Sequence, residues 1–464
     1  MLHFSEKPPR DKNLRHPAPK TNFLHNKIFA GFIKSKWYPQ VFQWPVAIIF
    51  AFIVYELMFG STKAHDNFGT AMTWVLWWPL IPIVFVFFGR FWCTVCPFGA
   101  LNDVVQKFVG DNRPVPNLLK KYGIWIIDAL FILITWSDHV FGVVESPRGS
   151  GFLLLMIVTA VVASGALWER RTWCRYLCFL GGLSGNYSRA GMLDIRSTPE
   201  KCSKCKVSAC YKGAVVPGCP MFEFPKKMES VANCNFCGNC IKNCPNDSIQ
   251  ITPRMPTEGL WYIGRAKLEE SFLAAVIMGI VFVQNITMIG IWSGILEGIE
   301  KFAGTSNYFV TFTIAFIVAM AIPIAMLALA SFVAGNFKIK SIAKNFARYG
   351  YAIIPLDIAG HIAHNLFHLL AEGKAILFTA MGLFGLESHG ASPAILDNTT
   401  IQILQYFLIA LGTFGSIYTA YRLVKSNTDT TGKILPTFTP FAILMIIFGI
   451  INIYLFMQPM AMRM

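Results

Sequence analysis

Apolar runs of about 20 residues, enough to span a hydrocarbon core roughly 30 Å thick, recur along most of the chain between short polar stretches. By position they predict helices over 42–60, 70–92, 122–144, 150–168, 271–296, 307–334, 349–371, 402–422 and 437–458, about nine spans in all. The one long interruption lies between the fourth and fifth spans, where residues 193–258 are polar and rich in Gly, Pro and Asn. The pattern therefore predicts a mainly α, polytopic bundle of membrane helices with a small α+β unit inserted. Four segments follow: a basic tail 1–41, a four-helix membrane unit 42–192, the inserted unit 193–258 and a five-helix membrane unit 259–464.

Composition agrees with this division. Of 464 residues 54% are hydrophobic and 14% charged, and the mean hydropathy is +0.50, as expected of an integral membrane protein. The net charge of +15 would suit nucleic acid, but its distribution speaks for membrane topology instead. Lys and Arg collect up to Lys36, over Lys107–Lys121, Arg170–Lys267, Lys338–Arg348 and Arg422–Lys433, and alternate with loops poor in both. By the positive-inside rule the N-terminus and the inserted unit lie in the cytoplasm and the C-terminus outside, across the inner membrane of a bacterial or archaeal cell. No nucleic-acid partner is expected. The polar, basic first 20 residues lack an early apolar core, so no cleavable signal peptide is expected either. The stretch WYIGRAKLEE, with Trp261 and Tyr262, reads as a headgroup-level lead-in to the fifth span. FKIKSIAKNFARYG reads as a basic surface helix.

The inserted unit carries eight of the twelve cysteines. In CNFCGNCIKNCP, Cys234-x2-Cys237-x2-Cys240-x3-Cys244-Pro245 is the bacterial ferredoxin run, in which three thiolates serve one [4Fe-4S] cube and the fourth serves a neighbour. Zinc sites favour two separated pairs and give no reason for this third and fourth cysteine. Disulfides do not suit a reducing compartment. If Cys244 serves a second cluster, its companions lie in KCSKCKVSACYKGAVVPGCP: Cys202, Cys205 and Cys210. Cys219, also followed by proline, then completes the cluster of Cys234, Cys237 and Cys240. The x2, x4, x8 spacing of this earlier segment departs from the plain run and requires longer loops.

The other four cysteines are paired at helix ends, Cys93 and Cys96 in GRFWCTVCPFGAL and Cys174 and Cys178 in RRTWCRYLCFLGGLSG. At i, i+3 and i, i+4 each pair shares a helical face. Arg90, Phe91, Trp92 before one pair and Arg171, Thr172, Trp173 before the other suggest a duplicated two-helix unit. Thiols held near arginines suit an additional metal, a further cluster or dithiol–disulfide cycling; plain packing of small side chains is the alternative.

A four-helix unit with paired cysteines at the inner helix ends, followed by a two-cluster ferredoxin-like unit, resembles the membrane polyferredoxins related to NapH, NosR and CcoG. The resemblance covers about residues 40 to 255. It implies electron transfer between membrane quinol and a redox protein partner such as a cytochrome or oxidoreductase subunit of a respiratory chain, as a quinol dehydrogenase or an electron-transfer subunit. It also implies an alternative, metal reduction during maturation of a respiratory enzyme. The family's Cys-x-x-x-Cys-Pro pairs are met in part: Cys93 and Cys96 stand one residue closer and keep Pro97, while Cys178 is followed by Phe179. The flavin-attachment signature of the NosR branch is absent.

Beyond the resemblance, the seventh span reads YAIIPLDIAGHIAHNLFHLLAEG. Asp357, His361, His364, Asn365, His368 and Glu372 fall within an arc of roughly 100°. Ionisable groups inside a membrane are costly and mark functional pathways by default. Three readings compete here: a quinone or proton site using Asp357 and His361, a haem b with a histidine axial ligand, and a copper or other metal site of His361, His364 and His368. No His lies in the fifth, sixth, eighth or ninth span, so a bis-His haem would need an outer residue such as His139. Interhelical hydrogen bonding is the structural alternative. Together the chain reads as a membrane-bound iron–sulfur electron-transfer protein linking the quinone pool, or a membrane haem, to a redox partner through two [4Fe-4S] clusters. A copper reductase or assembly factor for a respiratory metalloenzyme is the alternative.

Overall fold

The computed structural model describes residues 21–386, 391–427 and 434–458. Outside them lie the first 20 residues of the expected tail, part of the loop expected before the eighth span, and the end of the basic segment Arg422–Lys433. Among the described residues, eight helices are long and apolar enough to cross a membrane: Gln40–Phe59, Phe68–Val109, Asn117–Phe141, Pro147–Leu167, Leu268–Ile286, Tyr308–Ala334, Asn398–Asn427 and Ile434–Met457. The protein is a mainly α, polytopic membrane protein with one small two-stranded unit.

The second of these stretches is broken twice. Its main helix ends at Phe88, and Gly89 turns the chain at φ +58°, where a Cβ would come within 3.2 Å of the Phe236 ring. A short helix Trp92–Val95 follows. Cys96 then breaks the helix, and Pro97 starts the next at a position where its missing N–H is no loss.

The fifth span is shorter than expected. Gln284, Asn285 and Thr287 interrupt the apolar run, and Thr287 Oγ1 donates back to Gln284 O at 3.0 Å. A separate helix, Ile291–Ala303, follows and buries none of its residues. Its Glu297, Glu300 and Lys301 explain why it does not continue the span. Trp261 is buried, 5.2 Å from the Tyr418 ring with the Arg422 guanidinium 4.4 Å over it. The basic helix forms over Ile339–Tyr349 and buries Phe346, Ala347 and Tyr349 at its end.

The histidine-bearing helix, Ile354–Ala371, is formed but stands apart from the eight. Its polar residues lower its apolarity, and 14 of its 18 residues are buried inside the bundle. It packs antiparallel to Asn398–Asn427, with Leu356 N donating to Ser416 Oγ at 3.0 Å and Gln405 Nε2 to Ala363 O at 2.9 Å. Gly412 permits this contact, because a Cβ there would lie 2.3 Å from that of Ala359.

The inserted unit opens with strand β1, Leu193–Ser197, and closes with strand β2, Ile249–Pro253. The two are antiparallel, with Leu193 opposite Pro253 and Ser197 opposite Ile249, so the cysteine loops between them form one closed unit. Its apolar core joins Ile195, Val231, Phe236 and Ile241 to Ile33 and Tyr38 from the N-terminal segment. Arg254 fastens it to the bundle by donating to Gly191 O and Ser188 O, both at 2.6 Å. Burial, only partly offset by Asp194, brings the Arg254 guanidinium down to about 10.

Candidate functional site

The loop CNFCGNC turns tightly because Phe236 and Gly238 take φ +58° and +78°, and Tyr38 OH fixes it by donating to Phe236 O at 2.5 Å. Cys234, Cys237, Cys240 and Cys219 thereby line one cavity, together with Ile195 and Met228. Burial pushes the Cys237 thiol up to about 12, with Cys219 the strongest thiol neighbour. Four thiols around an apolar hollow is the donor set of an iron–sulfur cube.

A second set gathers beside it. Cys202 Sγ lies 3.0 Å from Ser248 Oγ, and Ser248 N–H donates to Cys244 Sγ at 3.2 Å. Ser248 thus draws the first thiol of one segment to the last thiol of the other. Burial pushes Cys210 up to about 11, and Cys244, Cys202 and Cys205 act in the same direction. The longer loop between Cys210 and Cys219 is organised by Asn243, whose Oδ1 accepts from Ala214, Val215 and Val216 N–H at 3.1, 2.9 and 3.0 Å. A residue between Cys240 and Cys244 therefore shapes the spacing that departs from the plain run.

The two helix-end pairs also converge. Burial raises Cys178, and Cys174, Cys96 and Cys93 raise it further; burial raises Cys174 too, opposed by Arg171 and assisted by Cys93. Two buried arginines hold the group together. Arg90 donates from Nε to Cys93 Sγ at 3.3 Å, from Nη2 to Cys174 O at 3.4 Å, and from Nη1 to Ala232 O at 2.7 Å, two residues before Cys234. Arg171 donates to Cys174 Sγ at 3.8 Å and Cys93 O at 3.3 Å, and its Nε to Asp103 at 2.8 Å. Thr94 Oγ1 donates to Asn235 O, beside Cys234. The pairs therefore lie against the ferredoxin-like loop.

From here a helix of eleven residues, Leu180–Ala190, leads to the histidines. Ser184 Oγ lies 4.0 Å from Cys93 Sγ. Tyr187, three residues and about 4.5 Å of helix further on, places its OH 3.2 Å from His361 Nδ1, and Trp78 flanks the same ring at 6.0 Å. The other histidines face different partners, His364 Nδ1 at 2.9 Å from Asn285 Oδ1 and His368 Nδ1 at 3.3 Å from Glu372 Oε2. Asp357 is fully buried, and among the described residues neither of its carboxylate oxygens has a hydrogen-bond partner. His139 is engaged elsewhere, on Thr135 O at 3.0 Å and stacked on Phe312. Among the described residues no three His, Cys, Asp or Glu side chains close on a single-ion site.

Tyr187, Trp78, Ser184, Asn285, Ser248 and Asn243 are the residues that spacing did not reveal. Tyr187 sits in LGGLSGNYSRA, which reads as a link, although Gly181-x3-Gly185 carries the small-residue spacing of a tightly packed helix. At Gly182 a Cβ would meet Leu273 at 2.6 Å.

A protein-family model described as a 4Fe-4S binding domain matches residues 70–116 and 150–195. Each stretch holds one helix-end pair, and neither reaches the eight cysteines of the inserted unit. The chain is 32% identical over 176 residues to the putative electron transport protein YccM of Escherichia coli strain K12, covering 32% of this chain and 47% of that protein. It is 28% identical over 194 residues to the ferredoxin-type protein NapH of the same organism, covering 38% of this chain and 66% of that one. The chain thus spans about half the length of the first relative and just under two thirds of the second. No solved structure matches. Fold, site and comparisons together make the chain similar to iron–sulfur electron-transport proteins of the membrane. Within that class the chain is similar to NapH and YccM over the part that carries the helix-end cysteine pairs.

Proposed function

We propose that the protein passes electrons between a membrane quinone, handled at Tyr187, His361 and Asp357, and a redox protein that docks on a cytoplasmic ferredoxin-like unit. The observation that carries this reading is the helix Leu180–Ala190, which touches Cys93 through Ser184 and His361 through Tyr187. Cys234, Cys237, Cys240 and Cys219 are assigned to one [4Fe-4S] cluster, and Cys202, Cys205, Cys210 and Cys244 to a second. The helix-end Cys93, Cys96, Cys174 and Cys178 are assigned to a third, where the guanidinium groups of Arg90 and Arg171 offset the negative charge of four thiolates. When bound, such clusters supply reversible one-electron transfer at potentials tuned by their surroundings.

The chain's own residues handle the protons. A quinol gives up two protons with its two electrons, so acceptors must lie within hydrogen-bond reach of its oxygens. Tyr187 OH and His361 form such a pair, and the unpartnered carboxyl of Asp357 lies one helical turn from His361. Trp78 supplies an aromatic wall beside the imidazole. The test is metal analysis of anaerobically purified protein together with spectra after mixing with a lipid-soluble quinol. About twelve irons per chain are expected from three clusters, with bleaching of the cluster absorption by quinol. About eight irons would remove the helix-end cluster; stoichiometric zinc without labile sulfide would remove the whole reading.

A further inference from the structure

The polar groups of the histidine helix do not stop at the proposed quinone site. Asp357, His361, His364, His368 and Glu372 follow one another at intervals of four, three, four and four residues, so each lies beside the next on one helix face. None is more than 4% exposed. The rings of His364 and His368 stand 5.3 Å apart, and His368 Nδ1 reaches Glu372 Oε2 at 3.3 Å. Fifteen residues of helix cover about 22 Å, most of a hydrocarbon core of roughly 30 Å.

The two ends of this row differ. Asp357 lies one turn from His361, which Tyr187 and Trp78 join to the cysteine-bearing unit. Glu372 caps the opposite end of the helix, and Lys374, two residues on, is exposed. The short helix that follows, Ala375–Gly382, packs beside the turn Ala64–Asp66, whose residues are largely exposed. Exposed polar residues therefore stand near Glu372 at the end of the helix away from the ferredoxin-like unit. Ionisable side chains inside a membrane are costly and by default functional; five in sequence, beginning with a buried carboxyl that has no partner among the described residues, call for more than interhelical hydrogen bonding.

We propose that Asp357, His361, His364, His368 and Glu372 form a proton conduit that connects the quinone site to the side of the membrane opposite the ferredoxin-like unit. This rests on the quinone reading for its substrate and adds the side on which protons are exchanged. For each quinol oxidised to quinone, two electrons leave singly toward the cysteine-bearing unit. The two protons pass to the Tyr187–His361–Asp357 group and leave along the histidines to Glu372 and water. Asn285, which holds His364 Nδ1 at 2.9 Å, is a positioning residue that fixes the orientation of that ring.

The test uses the whole cluster-loaded protein in sealed liposomes with a pH-reporting dye in the lumen. A lipid-soluble quinol is supplied with external ferricyanide, which does not cross the bilayer and so takes electrons only from molecules whose ferredoxin-like unit faces outward. Two ferricyanide ions are reduced per quinol, and the conduit predicts two protons in the lumen. Glu372→Gln and His368→Phe should cut lumenal acidification at least tenfold while iron content stays at the parent level, and Glu372→Asp should restore it. Protons released outside by the parent protein, or lumenal acidification unchanged in both variants, overturn the proposal. If the parent protein does not reduce ferricyanide with quinol, the quinone reading fails separately, and the same liposomes are driven by an impermeant external one-electron reductant. A proton taken from the lumen on reduction, and lost in Glu372→Gln, then upholds the conduit; no lumenal change in the parent protein overturns it.

Discussion

The cysteine-bearing unit and the histidine-bearing unit solve opposite problems with the same kind of scaffold. In the first, twelve thiols gather where bent helix ends meet a small closed unit, and two buried arginines donate to Cys93 and Cys174. In the second, a helix wrapped by its neighbours carries acids and imidazoles through the bundle, with no arginine or lysine on its buried face. On the proposed function the difference teaches a division of labour: one unit would stabilise the negative charge of thiolate-bound electron carriers, the other would hold protons without fixed charge. Leu180–Ala190 touches Cys93 through Ser184 and His361 through Tyr187.

The comparison breaks most visibly at the thiols. Cys237→Ser should remove one cluster, about four irons per chain, and with it electron delivery to an external acceptor; metal and sulfide analysis checks this directly. His361→Ala should leave the iron content unchanged while quinol no longer bleaches the clusters, which separates the two units cleanly. A smaller effect is expected at their junction. Tyr187→Phe removes one hydroxyl and should slow quinol-driven cluster reduction on the order of a hundredfold, with reduction by dithionite unaffected in stopped-flow absorption. The smallest is structural: Asn285→Leu leaves His364 Nδ1 without its partner in a buried site and should cost about 1 to 3 kcal/mol, read as an earlier unfolding midpoint in detergent.

The two units were unequally legible in the sequence. Thiol chemistry imposes fixed local spacing, so Cys234 to Cys244 announces itself in eleven residues, and Cys219 follows from the need for a reciprocal ligand. The polar face of the histidine helix was legible for a similar reason, since ionisable groups stand out against an apolar background at 3.6-residue periodicity. What joins them was not. Tyr187 lies 174 residues from His361, in a glycine- and serine-rich stretch whose helix is held by packing against other helices and not by propensity. The predicted fifth span runs too long because apolar residues continue past Thr287, and only the charges on Glu297, Glu300 and Lys301 mark the end of the membrane run. Arg90 and Arg171 repeat as neighbours of cysteines in the sequence, but their bridging from one repeat to the other depends on tertiary contact.

The central claim is that electrons pass between the histidine-bearing unit and the ferredoxin-like unit by way of the helix-end cysteines. Freeze-quench EPR of the Cys93→Ser, Cys174→Ser double variant after mixing with a lipid-soluble quinol tests it most directly. The account predicts ferredoxin-like clusters that dithionite reduces as in the parent protein and quinol does not. Reduction by quinol at the parent rate in that variant would contradict it.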